Sequence, residues 1–171
     1  MKRIVSVILC FLMLLPVCSL FVSSASEIKT EYLDDGSFIE SGFFEVREEA
    51  SAVGILAKLM EFFRKLMEFF TGNKTVSRTK YVNYYSSEGE LLWAAFLDAE
   101  FRYNKNEAVC TDAHFRCEIY DSDWKLNSSD INKNENKATV NFSVKQYKLA
   151  VPLKTIEREL SLTCDTKGNV Y

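Results

Sequence analysis

The chain's one histidine, His114, lies between two cysteines, Cys110 and Cys117. A thiolate nucleophile needs an adjacent base, so a Cys–His dyad is the first chemistry to weigh. Cys110 precedes His114 by four residues, which in an unbroken strand puts both on one face but about 13 Å apart. That is too far for a hydrogen bond. Zinc asks for four ligands at finger-like spacing, and Cys110-x6-Cys117 with one histidine falls short. Calcium loops need acids and a glycine at fixed offsets. Asp121-x-Asp123 starts such a loop, but Trp124-Lys125-Leu126 does not continue it, and no third ligand follows Asp34-Asp35 at the right spacing. Glycosidase carboxylates come in pairs, and 24 acids always offer pairs without pointing to one. The six glycines form neither a phosphate loop nor a dinucleotide fingerprint. The sequence therefore predicts no catalytic residue, no metal site and no cofactor.

Aromatic side chains are the other candidates. Tyr81, Tyr84, Tyr85, Trp93, Tyr103, Tyr120, Trp124 and Tyr147 could line a surface that binds carbohydrate or peptide. The plainer reading, and the favoured one, is that they fill a sheet core and its cross-strand pairs.

The elements that must position these residues fall into zones. Met1-Lys2-Arg3 is a short basic start, Ile4 to Leu15 is apolar except for Ser6, and Pro16 interrupts the run. Ser23 and Ala25 then supply the small residues read by signal peptidase, so residues 1–25 are expected to be a cleaved signal peptide and the chain to be secreted. Without that segment 19 basic residues face 24 acids, a net charge of −5, which excludes a nucleic-acid partner on electrostatic grounds. Residues 26–49 form an acidic leader, in which apolar runs flank Asp34-Asp35-Gly36-Ser37 as in a β-hairpin.

Residues 50–72 switch to helical periodicity. Lys58-Leu59-Met60-Glu61-Phe62-Phe63 recurs seven residues later as Lys65-Leu66-Met67-Glu68-Phe69-Phe70. The apolar arc spans about 200°, and Leu59, Phe62, Phe63, Leu66, Phe69 and Phe70 are its candidate interaction surface. Ser51 fits an N-cap, and Gly72 fits the left-handed residue that closes a helix.

From residue 73 onward the period falls to two, with alternation clearest over Trp93 to Tyr103 and Ala138 to Val144. Pro152 breaks the last run. The fold expected is mainly β: an antiparallel β-sandwich or rolled meander of about five to seven strands, preceded by one long amphipathic helix.

Tyr32-Leu-Asp-Asp-Gly-Ser-Phe, Tyr84-Tyr-Ser-Ser-Glu-Gly-Glu-Leu-Leu-Trp93, Phe101-Arg-Tyr-Asn, Val109-Cys110-Thr and Leu162-Thr-Cys164-Asp together resemble a group of small secreted proteins of Gram-positive anaerobes. Those proteins carry a Tyr-x-Asp-Gly-Ser hairpin before a two-cysteine β domain. The resemblance implies export and a β fold and brings no functional site. Of the three cysteines after the signal, Cys110 and Cys164 match its pattern and sit in polar strand-end settings. They are the expected disulfide, with Cys117 spare because an unbulged strand would turn it to the opposite face. The function expected is a non-enzymatic extracellular binding module. Protein docking, self-association or a lipid interface through the helix are the partner classes, with a membrane-active protein or a hydrolase as alternatives.

Overall fold

The computed structural model describes residues 28–44 and 72–171. The expected signal peptide and the expected helix, apart from its closing Gly72, lie outside the described residues. Those described form eight antiparallel strands: β1 (Lys29–Tyr32), β2 (Phe38–Phe44), β3 (Lys74–Tyr85), β4 (Leu91–Tyr103), β5 (Ala108–Ile119), β6 (Trp124–Asn134), β7 (Lys137–Lys148) and β8 (Val151–Thr163). They make a five-stranded sheet in the order β1-β2-β3-β4-β5 and a three-stranded sheet in the order β6-β7-β8. The protein is thus mainly β, in two meandering sheets.

The core follows from the alternation. Trp93, Ala95, Leu97, Ala99 and Phe101 of β4 are all buried and face Val140, Phe142, Val144, Ile156, Leu160 and Leu162 of the smaller sheet in one apolar cluster. Tyr84 stacks on Trp93 at 5.3 Å between ring centroids and meets Trp124 edge-on at 5.0 Å. Phe142 closes on Trp93 at 6.0 Å and 90°. Core packing of rings, favoured from the sequence, thus describes Tyr84, Trp93 and Trp124. Among the described residues neither indole N–H has an acceptor.

Three turns repeat one design. In Leu33–Ser37, Ser86–Glu90 and Asp165–Asn169 the first residue's N–H donates to the fifth residue's carbonyl, and the fourth residue's N–H to the first residue's carbonyl. That fourth residue is Gly36, Gly89 or Gly168, with φ of 80°, 84° and 87°. This is a three-residue hairpin loop ending in a left-handed residue, which glycine adopts without steric cost. At Gly168 there is a second reason, because a Cβ would lie 2.3 Å from the Tyr103 ring.

Pro152 does not end the last strand. It lies inside β8, paired with Tyr147 beside a register shift. An edge strand tolerates a residue with no N–H to give, and β8 is the edge of its sheet.

Candidate functional site

The constellation closest to catalytic machinery is one that the sequence scatters over 120 residues. Lys154 of β8 reaches across the sheets to the β1–β2 turn. Its ammonium donates to Asp35 Oδ2, to the Tyr84 hydroxyl at 2.8 Å and to Ser37 Oγ at 3.3 Å. Tyr84 in turn donates to Ser37 Oγ at 2.9 Å. Tyr84 and Ser37 are buried. A serine beside a lysine can be a nucleophile and its base, provided the lysine is neutral.

Here it is not. Burial pulls the Lys154 pKa down, but hydrogen bonds to Asp35 and Tyr84 more than reverse this, and the net shift is upward. The same contact acts on its partner: the hydrogen bond from Lys154, helped by that from Ser37, lowers Asp35 to about 2. Both groups are ionised across the neutral range, and Lys154 has no lone pair with which to take the Ser37 proton. Beside them Arg158 is paired with Glu31 at 3.1 Å, so the open concavity of about 380 Å³ lined by Asp34, Asp35, Lys154 and Arg158 has both of its cations already paired. The arrangement is a clamp that fixes the β1–β2 hairpin to the second sheet.

A β-bulge corrects two expectations about β5. The register passes from Glu100↔Asp112 to Phe101↔Cys110, which leaves Thr111 as the extra residue. Cys110 therefore faces the core opposite Phe101, and Cys117 faces it too, opposite Ala95. His114 points the other way, opposite Asp98, with Nε2 2.8 Å from Asp112 Oδ2 in an exposed pair. Cys110 and His114 do not share a face. Cys117 is not excluded from pairing with Cys110 by its face but by distance, since six to seven strand steps separate the two by about 20 Å.

All three cysteines are free thiols in the structure. Cys110 Sγ and Cys164 Sγ lie 3.3 Å from the carbonyls of Asp112 and Asp165 respectively. The backbones of these two cysteines converge on one turn, where Cys110 N–H donates to Glu135 O at 2.7 Å and Cys164 N–H to Asn136 O at 3.0 Å. Burial raises all three thiol pKa values, that of Cys117 to about 11, which makes each a poor nucleophile at neutral pH. Among the described residues no three His, Cys, Asp or Glu side chains gather to hold a metal ion.

Two surfaces are unusual. On the side of the five-stranded sheet that faces away from the core, Tyr81, Ala94 and Phe96 form a second buried cluster. Phe44 lies against Tyr81 at 4.7 Å, and the Arg116 guanidinium sits 3.9 Å over the Phe96 ring. Gly42 makes this possible: a Cβ there would meet the Tyr81 ring and hydroxyl at 2.8–3.1 Å.

The second surface is the β7–β8 hairpin tip. Leu149 is 94% exposed, and Val151 and Leu153 are 58% and 59% exposed. Leu149 and Ala150 have φ of 49° and 66°, the backbone of a turn that ordinarily selects Asn-Gly. Sequence reasoning passed over both the clamp and the tip. The clamp has no local signal, and the tip's signal is a turn with no turn residue in it.

Comparison with known protein families, curated proteins and solved structures finds no match to this chain.

Proposed function

We propose that this chain is a secreted, non-enzymatic interaction module that docks on a protein partner through the β7–β8 hairpin tip. The observation that carries the reading is the strained, apolar, exposed turn at Leu149-Ala150. A non-glycine residue in the left-handed region costs about 1–2 kcal/mol, and an exposed leucine gains nothing in return from its own fold. Such strain belongs with a binding role, because an apolar anchor on a rigid hairpin enters a partner's pocket with little ordering cost. The clamp supports the non-enzymatic part, since it holds Lys154 cationic beside Ser37. Export rests on the basic start, apolar run and small-residue site of residues 1–25. In that compartment the pairing of Cys110 with Cys164 is part of the proposal, supported by their convergence on Glu135 and Asn136.

Replacing Leu149 by Asn together with Ala150 by Gly tests it. The variant is expected to be more stable by about 1–2 kcal/mol in urea unfolding, because the strain is removed. A photo-crosslinking residue at position 149 is expected to give a discrete adduct on producing cells, and the same probe at Glu88 of the β3–β4 turn none. Identical labelling from both sites, or none from 149, would overturn the assignment.

A further inference from the structure

We infer that the partner reached by the β7–β8 hairpin tip is an acidic protein surface, with carboxylates ringing the apolar socket that takes Leu149. This deepens the hairpin-tip reading and rests on it.

The tip is cationic in a chain that is acidic overall. Lys145 to Lys154 holds three lysines and no acid, although the sequence has 24 acids against 21 basic residues. Lys154 is engaged by Asp35. Lys145 and Lys148 are joined by Lys125 of the neighbouring strand, which the register of β6 and β7 sets directly opposite Lys145. The Lys125 ammonium leans toward the tip, 5.8 Å from the centre of the Tyr147 ring. Lys148 pairs with Val151 and so flanks the turn itself.

Nothing described in the fold neutralises these three. Among the described residues Arg116, Lys133, Lys154 and Arg158 each form an ion pair with a carboxylate, and Lys125, Lys145 and Lys148 form none. Asp123 stands nearby, its carbonyl accepting from the Tyr147 N–H at 2.7 Å, and is not paired with them either. Like charges directly opposite one another across two strands are destabilising, so Lys125 and Lys145 weaken the isolated fold. Leu149 and Ala150 do the same through their left-handed backbone, with Leu149 left in water. The two unfavourable features lie four strand steps apart, about 14 Å, at one end of one hairpin.

An apolar anchor inside a cationic rim is complementary to an apolar socket inside an anionic one. Burial of the anchor holds such a complex, while the rim steers the encounter and rejects basic surfaces. The turn's rigidity favours a protein socket over a bilayer. A preorganised anchor lowers the ordering cost of entering a shaped pocket, which a fluid interface does not require. Interfacial segments also spread a broader apolar face, with Trp and Phe, than Leu149, Val151 and Leu153 offer.

The test keeps the photo-crosslinking residue at position 149 on producing cells and varies only charge. The adduct is expected to fall about tenfold between about 0.05 M and about 0.5 M sodium chloride, as for a complex steered by exposed charges. Lys125→Gln with Lys145→Gln is expected to lower it about fivefold at the lower salt concentration. The melting temperature of that double variant should stay the same or rise, because the opposed pair is gone. Poly-glutamate added as a competitor should suppress the adduct, and neutral dextran should not. An adduct indifferent to salt, to poly-glutamate and to the double variant overturns the acidic partner and leaves docking through the tip standing. An adduct of lipid mass, with co-sedimentation on phosphatidylglycerol vesicles that the double variant abolishes, gives the rim to a bilayer and overturns it as well. No adduct under any condition removes the docking reading and this inference together.

Discussion

Outward from the core, the five-stranded sheet presents a small apolar patch of Gly42, Tyr81, Ala94 and Phe96 among Glu40, Asn83, Asp98 and Arg116, while the three-stranded sheet presents Ser128, Asp130, Asn141, Ser143, Glu157 and Glu159. The polar face is settled by short-range partners: Ser143 Oγ meets Ser128 Oγ at 2.7 Å and accepts from Asn127 at 2.9 Å. The apolar face buries rings and a methyl group instead. Strand periodicity is the same in both sheets. What differs is that Tyr81, Ala94 and Phe96 interrupt the polar outward positions of one sheet, whereas those of the other stay polar. A strand with only one apolar face is finished by its partner sheet.

The largest expected effect concerns how the two sheets are joined. A Cys110–Cys164 bond would tie β5 of one sheet to the end of β8 in the other and close a loop of about 54 residues, worth about 4 kcal/mol in the chain-entropy account. Peptide mapping of exported protein without reductant should find that bridge and a free Cys117. Finding Cys117 bridged to Cys110 contradicts the register of β5, which places the two about 20 Å apart.

Next in size is the contrast between the outer faces themselves. Phe96→Ala is expected to cost about 3 kcal/mol, as in a core, although the residue sits on an outer face. Asn141→Ala on the other sheet should stay within about 0.5 kcal/mol. Equal small losses in chemical denaturation would show that the apolar face is not a packed one.

The smallest effect belongs to the clamp between the sheets. The folded state lowers the Asp35 pKa from 3.8 to about 2. The sign follows from linkage: a depressed carboxyl pKa stabilises the fold fully above about pH 4, and that stabilisation is lost as pH falls through about 2. Asp35 is 54% exposed, so screening limits the contribution to about 1 kcal/mol. Asp35→Asn should therefore be weaker than the parent by that amount at pH 7 and approach it as the pH falls below about 2. A gap of the same size at both pH values would mean that the ion pair is not its cause.

Much of the β architecture was legible in the sequence because alternation is local. Trp93 to Tyr103 and Ala138 to Val144 read as strands from period alone, and each is one. The turn glycine at 36 was legible for the same reason. What escaped was non-local or contrary to propensity. Thr111 carries no bulge signature, so the sequence alone puts His114 and Cys117 on the wrong faces relative to Cys110. Pro152 reads as a break unless its strand is known to be an edge. Lys154, Asp35, Ser37 and Tyr84 are four ordinary residues until the fold brings them together. Leu149-Ala150 looks like strand, because nothing in apolar residues announces a turn.

The strand order also sets a timetable. Among the described strands every pairing joins neighbours in sequence, and most are separated by turns of two to five residues. The exception is β2 with β3, which must close over the 29 residues between Phe44 and Lys74. Loop-closure entropy makes that step costlier than a short hairpin by about 1.5 kcal/mol, and contacts between distant residues form late. The β3–β4–β5 and β6–β7–β8 meanders can zip first, leaving the free edge of β3 to wait for the β1–β2 hairpin. During that interval the same edge can accept the hairpin of another copy, so this chain's natural error in refolding at high concentration is a strand-exchanged dimer.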